Sequence, residues 1–316
     1  NDLQKPFQMC RLLQGDVGSG KTVVALLSAA YVVACGKQAA IMAPTEILAR
    51  QHYTGLQPLA EKAGLRIALL TSREKGKARD TLLEDLALGR IDFLIGTHAL
   101  IQDPVQFKDL ALAIIDEQHR FGVSQRLALA QKGAAVNILV MTATPIPRTL
   151  ALTSYGDMEI SVLREKPPGR KPIDTRVLPH DKIPEVVEGL KRKISSGDRI
   201  YWVCPLVEES ELIDLSAAED RFAALEQHFK GRVGLIHGRM KGDEKDATMV
   251  RFIAGDIDIL VATTVIEVGV NVPEATVMII EHAERFGLSQ LHQLRGRVGR
   301  GDKGGTCLLL YEAPLG

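Results

Sequence analysis

Gly15-Asp16-Val17-Gly18-Ser19-Gly20-Lys21-Thr22 stands between a short apolar run, Arg11 to Leu13, and a long alanine-rich one. Its spacing is G-x-x-x-x-G-K-[ST], and few chain geometries accommodate it. Glycines let successive backbone N–H groups converge on one anion, and a helix opening at Thr22 adds its positive end. The run before the motif reads as a strand and the run after it as a helix. Together they predict a loop built around phosphate, with Gly15, Asp16, Val17, Gly18, Ser19 and Gly20 as the cradle. Lys21 would reach the outer phosphates of a nucleoside triphosphate, and the Thr22 hydroxyl would hold Mg²⁺. A plain glycine-rich turn is the alternative, and the strand and helix on either side argue against it.

Such a loop needs a metal-holding carboxylate at the end of a neighbouring strand. Ile114-Ile115-Asp116-Glu117-Gln118-His119 supplies one. Asp116 would support Mg²⁺, and Glu117 would orient or deprotonate the attacking water. A lone histidine is more often structural than catalytic, so His119 is read as a coupling residue and not as a base.

Apolar runs at Ala40 to Ala43, Phe93 to Ile95, Ala113 to Ile115 and Ile138 to Met141 are nearly continuous, as in strands buried on both faces. Periodic segments at Thr45 to Lys62, Lys77 to Leu88 and Ser124 to Gln131 separate them, giving βα units and a parallel sheet. This first domain covers 1–163. Prolines, a glycine and charges crowd "REKPPGRKPIDT", a linker over 164–175. A second βα series fills 176–316, similar in architecture to the first but not in sequence. Its strands are expected near Ile200 to Cys204, Val233 to His237, Ile257 to Ala262, Val277 to Glu281 and Cys307 to Tyr311. Its helices are expected near Ile183 to Ile194, Ala217 to Phe229 and Leu288 to Arg297.

The 316 residues, 46% of them hydrophobic, suffice for two cores without staples. Lys plus Arg and Asp plus Glu are equal at 39 each, so any polyanion footprint must be local. The four cysteines are scattered without a metal-ligand spacing and read as reduced thiols of a cytosol. The stretch from Val23 to Cys35 is too short to span a bilayer, so no membrane role is indicated. A start at Asn1, so close to the phosphate loop, suggests a piece of something longer.

Beyond these readings, "GDVGSGKT", "APTEILARQH", "GTHAL", "DEQH" and "TATPIPRT", followed by "HGRM", "VATTVIEVGVNVP" and "QLHQLRGRVGR", resemble in order the motifs of superfamily 2 helicases. The wording of "DEQHRFGV", "MTATPIPRT" and "WVCPLVEESE" resembles in particular the bacterial branch-migration helicases that remodel stalled replication forks. Transcription-repair coupling translocases share "TATPIPRT" and "QLHQLRGRVGR" but usually carry Glu where this chain has Gln118, and they lack "WVCPLVEES".

The resemblance implies an α/β fold of two tandem RecA-like P-loop domains with mainly parallel sheets, using ATP and Mg²⁺ and acting on branched or forked DNA. It implies a monomer in the bacterial cytoplasm. ATP would lie between the domains, with Arg297 and Arg300 as arginine fingers and with Gln118, His119, Gly269, Asn271 and Gln293 completing the site. Asn271 stands where many relatives have Asp. An isolated Arg/Gly run would by itself read as a basic helix end on nucleic-acid phosphate. Thr45, Thr97, Arg148, Arg239 and Thr263 are the implied strand contacts, and Thr142 and Thr144 the link to the ATP site. For each threonine the bland alternative is an N-cap. With aromatics at 4%, base stacking does not dominate. A wedge domain and a coupling motif after the second motor domain are expected in the full-length family and absent here. The competing functions are a transcription-linked translocase, a nucleotide switch without a nucleic-acid track, and a non-catalytic binding module.

Overall fold

A computed structural model describes every residue except 1, 6, 17, 117–127, 143–157, 166–170, 206–210, 264–271, 300, 302 and 313–316. The chain divides into two compact units, Asn1–Pro167 and Pro168–Gly316.

In the first unit the described elements are β1 (Cys10–Gly15), α1 (Lys21–Ala34), β2 (Gln38–Met42), α2 (Glu46–Lys62), β3 (Ile67–Leu70), α3 (Gly76–Ala87), β4 (Phe93–Gly96), β5 (Leu110–Asp116), β6 (Asn137–Thr142) and β7 (Glu159–Leu163). They form a seven-stranded sheet in the order β3-β4-β2-β5-β6-β1-β7, with every described pairing parallel. Parallel pairing forces the crossovers onto the faces, which explains why β2 is buried along its whole length. Ile41 and Met42 are fully buried, each contributing about 1.5–3 kcal/mol by leaving water. Helix α1 packs Ala25, Leu26, Ala29 and Val32 inward at helical spacing, while Val23 and Leu27 stay exposed. None of the described helices is long and apolar enough to cross a membrane.

The second unit holds β8 (Asp174–Pro179), α4 (Ile183–Ser195), β9 (Arg199–Val203), α5 (Glu211–His228), β10 (Val233–Ile236), α6 (Gly242–Ala254), β11 (Ile259–Ala262), β12 (Ala275–Ile280), α7 (Leu288–Arg295) and β13 (Thr306–Tyr311). Its six-stranded sheet runs β10-β11-β9-β12-β13-β8, again parallel in every described pairing. Strand β8 begins at Asp174, inside the proline-rich stretch that reads as linker. Elements β3, β7, β8 and α6 carry no clear signal in the sequence.

One expectation is corrected: the halves share sequence as well as architecture. Gly89-Arg90-Ile91-Asp92-Phe93-Leu94-Ile95-Gly96-Thr97 matches Gly255-Asp256-Ile257-Asp258-Ile259-Leu260-Val261-Ala262-Thr263 in its Gly, Ile, Asp, Leu and Thr. The structure shows what those positions do. Arg66, just before β3, grips Asp92, just before β4, with Nε at 2.9 Å and Nη2 at 2.5 Å. Arg232, just before β10, grips Asp258 in the same way, with Nε and Nη2 both at 2.6 Å. Each arginine lies 26 residues before its aspartate. Each also accepts, at its carbonyl, the N–H groups of that aspartate and of the next residue. Although burial pushes the Asp92 carboxyl up, the Arg66 hydrogen bonds and charge outweigh it and hold it below its ordinary value.

Candidate nucleotide site

Strand register assembles the site. Gln14 of β1 pairs with Thr142 of β6, and Met141 of β6 pairs with Asp116 of β5. The phosphate-type loop, Thr142 and Asp116 therefore share one edge of three adjacent strands, with loop and carboxylate about 10 Å apart across the sheet. That edge is the carboxyl end of the strands, where open α/β sheets bind ligands.

Within the loop, Gly20 has φ +95° and supplies the left-handed residue from which α1 starts. A Cβ at Gly15 would lie 2.5 Å from Ser19 Oγ and 3.0 Å from Leu163 Cβ, so the backbone approaches there as only glycine permits. Ser19 N–H donates to the Asp16 carbonyl at 3.1 Å and tightens the turn. Lys21 Nζ donates to the carbonyls of Gly15 at 2.7 Å and Asp16 at 3.0 Å, so the ammonium is folded back onto its own loop. Ser19 Oγ is buried with no hydrogen-bond partner among the described residues.

This donor set suits Mg²⁺. Thr22 and Asp116 offer hard oxygens, the ligand type this cation takes. Asp116 is 7% exposed at the end of a buried strand. A buried carboxylate needs a partner, and one is His52 of α2, whose Nε2 lies 2.7 Å from Asp116 Oδ2. The sequence reading missed His52. A second grouping of possible ligand atoms, His180, Glu281 and His282, is poorly suited to a cation, because Arg221 already grips Glu281 with Nε at 2.6 Å and Nη2 at 3.0 Å. Trp202 Nε1 and His180 Nε2 approach the same carboxylate. Burial pushes the Glu281 carboxyl up, but the hydrogen bond and charge of Arg221, with the Trp202 and His180 contacts, shift it below its ordinary value.

The other candidates are distributed as follows. Thr45 is the N-cap of α2, its Oγ1 accepting from Leu48 N–H at 3.3 Å. Thr97 follows β4, four strands and about 19 Å across the sheet from β1. Thr263 follows β11 at the matching place in the second unit. Both are 2% exposed, and neither hydroxyl has a hydrogen-bond partner among the described residues. Arg239 lies in the segment after β10, and Gln293 on α7. Arg297 is 6% exposed in the turn after α7, its N–H donating to the Leu294 carbonyl at 3.0 Å. Gly299 N–H ties that turn to the Ala275 carbonyl, at the start of β12. Within the second unit, Arg297 and Thr263 therefore lie toward opposite ends of the sheet. Val17, Glu117, Gln118, His119, Thr144, Arg148, Gly269, Asn271 and Arg300 lie outside the described residues.

Since the Thr45 hydroxyl caps α2, Thr45→Ala is expected to cost about 1 kcal/mol of stability. Urea unfolding checks this, and an unchanged midpoint would leave the cap without energetic weight.

Comparison with known proteins fits this layout. Residues 7–153 match the DEAD/DEAH box helicase family, and residues 181–302 match the helicase conserved C-terminal domain. Proteins named ATP-dependent DNA helicase RecG align along nearly the whole chain. The one from Bacillus subtilis is 54% identical over 98% of this chain and 46% of its own length. The one from Streptococcus pneumoniae is 56% identical over 98% and 46%. A solved structure of RecG bound to a three-way DNA junction superposes with a TM-score of 0.86 at 46% identity, covering all of this chain and 41% of that one. The chain thus spans about half the length of the curated relatives it matches. Its two units match in tandem the DEAD/DEAH box and conserved C-terminal helicase families, and along nearly its whole length the chain is similar to the motor part of the RecG helicases.

Proposed function

We propose that this chain is the ATP-driven motor of a DNA helicase that remodels branched DNA. The observation that carries the reading is the shared edge of β1, β6 and β5, where the loop bearing Lys21 and the carboxylate of Asp116 stand two strands apart in the first of two units that match helicase families. The loop N–H groups and Lys21 would bind and orient the phosphates, with Lys21 exchanging its two loop carbonyls for phosphate oxygens. Thr22 and Asp116 would hold Mg²⁺, which when bound neutralises charge on the outer phosphates. Glu117 would take the proton of the attacking water. Arg297 and Arg300 are the residues proposed to stabilise charge on the transferring phosphoryl group, and Gln118, His119, Gly269, Asn271 and Gln293 to complete the nucleotide contacts. Thr45, Thr97, Arg148, Arg239 and Thr263 are proposed to grip the strand through its phosphates, with Thr142 and Thr144 relaying between the two functions. Branched DNA as the substrate is supported by the junction bound in the related structure.

The test is steady-state ATP hydrolysis without nucleic acid, with linear duplex and with a three-way junction. Stimulation by DNA, greatest with the junction and lost in Arg297→Ala, is expected. Turnover indifferent to every nucleic acid would favour a nucleotide switch and overturn the motor reading.

A further inference from the structure

The geometry points to His52 as a positioning residue that presets Asp116 for its cation and ties it to α2. The inference rests on Asp116 being the metal-holding carboxylate. His52 and Asp116 lie 64 positions apart, and their side chains are only 11% and 10% exposed. With Nε2 donating to Oδ2, the imidazole fixes the carboxylate's rotation and so presets the way it meets a cation. Groups standing behind a metal's own ligands commonly act in this way.

His52 is also held by its helix. The first two turns of α2 are clamped to the residues after β3. Arg73 Nε pairs with Glu46 Oε2 at 2.8 Å, Ser72 N–H donates to Glu46 at 3.0 Å, and Arg50 pairs with Glu74 at 3.1 Å. Glu74 in turn accepts from Thr71 N–H and Oγ1 at 2.5 and 2.6 Å. Helix α2 is therefore fixed at one side to the end of β3 and, through His52, at the other to the end of β5. His52 sits about 10 Å along the axis from the N-cap Thr45. A displacement of the α2 N-terminus would reach Asp116 through this hydrogen bond, so the helix links the carboxyl ends of two non-adjacent strands.

Two measurements on the 316-residue chain test the assignment. The first needs neither metal nor nucleotide. In ¹⁵N-imidazole NMR at fixed pH, the resonance pair lost in His52→Gln should show the proton on Nε2. A proton on Nδ1, or rapid averaging between the two, would overturn the proposal. The second follows binding of mant-ATP as MgCl₂ is titrated. His52→Ala should raise the Mg²⁺ needed for half-maximal binding about tenfold, and His52→Gln, whose amide can still donate to Asp116, should bring it back to within about threefold of wild type. Thermal unfolding of each variant shows whether the fold survives. Equal losses in the alanine and glutamine variants, or none in either, would reduce His52 to packing. Lys21→Ala is run alongside: if it binds mant-ATP as tightly as wild type, the nucleotide-site reading itself fails, while the NMR result still decides the orientation of His52.

Discussion

Lys21→Ala is expected to lower ATP turnover about 10²–10³-fold, the usual consequence of removing one preorganised donor from charge that develops in a transition state. The structure separates this loss from a folding defect. Lys21 Nζ contacts the carbonyls of Gly15 and Asp16, at 2.7 and 3.0 Å in a part-buried setting. Those carbonyls can be rehydrated when the ammonium is gone, so the stability change should stay near about 1–2 kcal/mol. Steady-state hydrolysis alongside urea unfolding checks both halves. A variant that folds and hydrolyses ATP like wild type would show that this loop is not where the chemistry happens.

The second large effect concerns Glu281, which follows β12. It receives the Arg221 fork from α5 and the Trp202 indole from β9, and its side chain is 7% exposed against 19% for Arg221. Glu281→Ala leaves a nearly buried guanidinium and a fully buried indole N–H without this acceptor. Breaking one side of such a pair costs about 3–5 kcal/mol. For a unit of this size that corresponds to a melting temperature lower by roughly 6–20 °C. Trp202 is the only tryptophan, so its fluorescence reports the second unit alone. The pH dependence has a definite sign. The folded carboxyl lies below its ordinary value of 4.5, so its contribution is present above that pH and is lost as pH falls through the depressed value. The stability gap between wild type and Glu281→Gln should accordingly close below pH 4.5, and a gap that widened there would contradict the assignment.

What the sequence made legible follows from how each feature is encoded. The strand, tight turn and helix start around Gly15 to Thr22 were readable because the turn dictates residue types at fixed local spacing. Asp116 was readable because it ends a continuous apolar run. His52 was not, since nothing local distinguishes it from other polar residues of α2, and only the fold brings it to Asp116, 64 positions away. Glu281, Arg221, Trp202 and His180 span 101 positions and meet only when three strand ends converge. For Thr45 both the capping and strand-contact roles fit the sequence, and the hydrogen bond to Leu48 N–H establishes the cap. The internal duplication could have been found: Gly-x-Ile-Asp recurs at 89 and 255, each time with an arginine 26 residues before the aspartate. Short strands such as Ile67–Leu70 are too brief to show a period.

The Arg66–Asp92 and Arg232–Asp258 grips have a bearing on life at high protein concentration. They sit at the amino ends of β3 and β10, each an outer strand of its sheet among the described residues. An outermost strand is a template on which another chain can aggregate, and a slip of one residue would turn its buried side chains to water. Pinning each strand to its inner neighbour by a two-pronged ion pair removes that slip and places a guanidinium at the start of the open edge. Both halves carry the same hazard and the same guard. A variant lacking either arginine should therefore betray itself first in turbidity on storage, before any enzymatic assay registers the change.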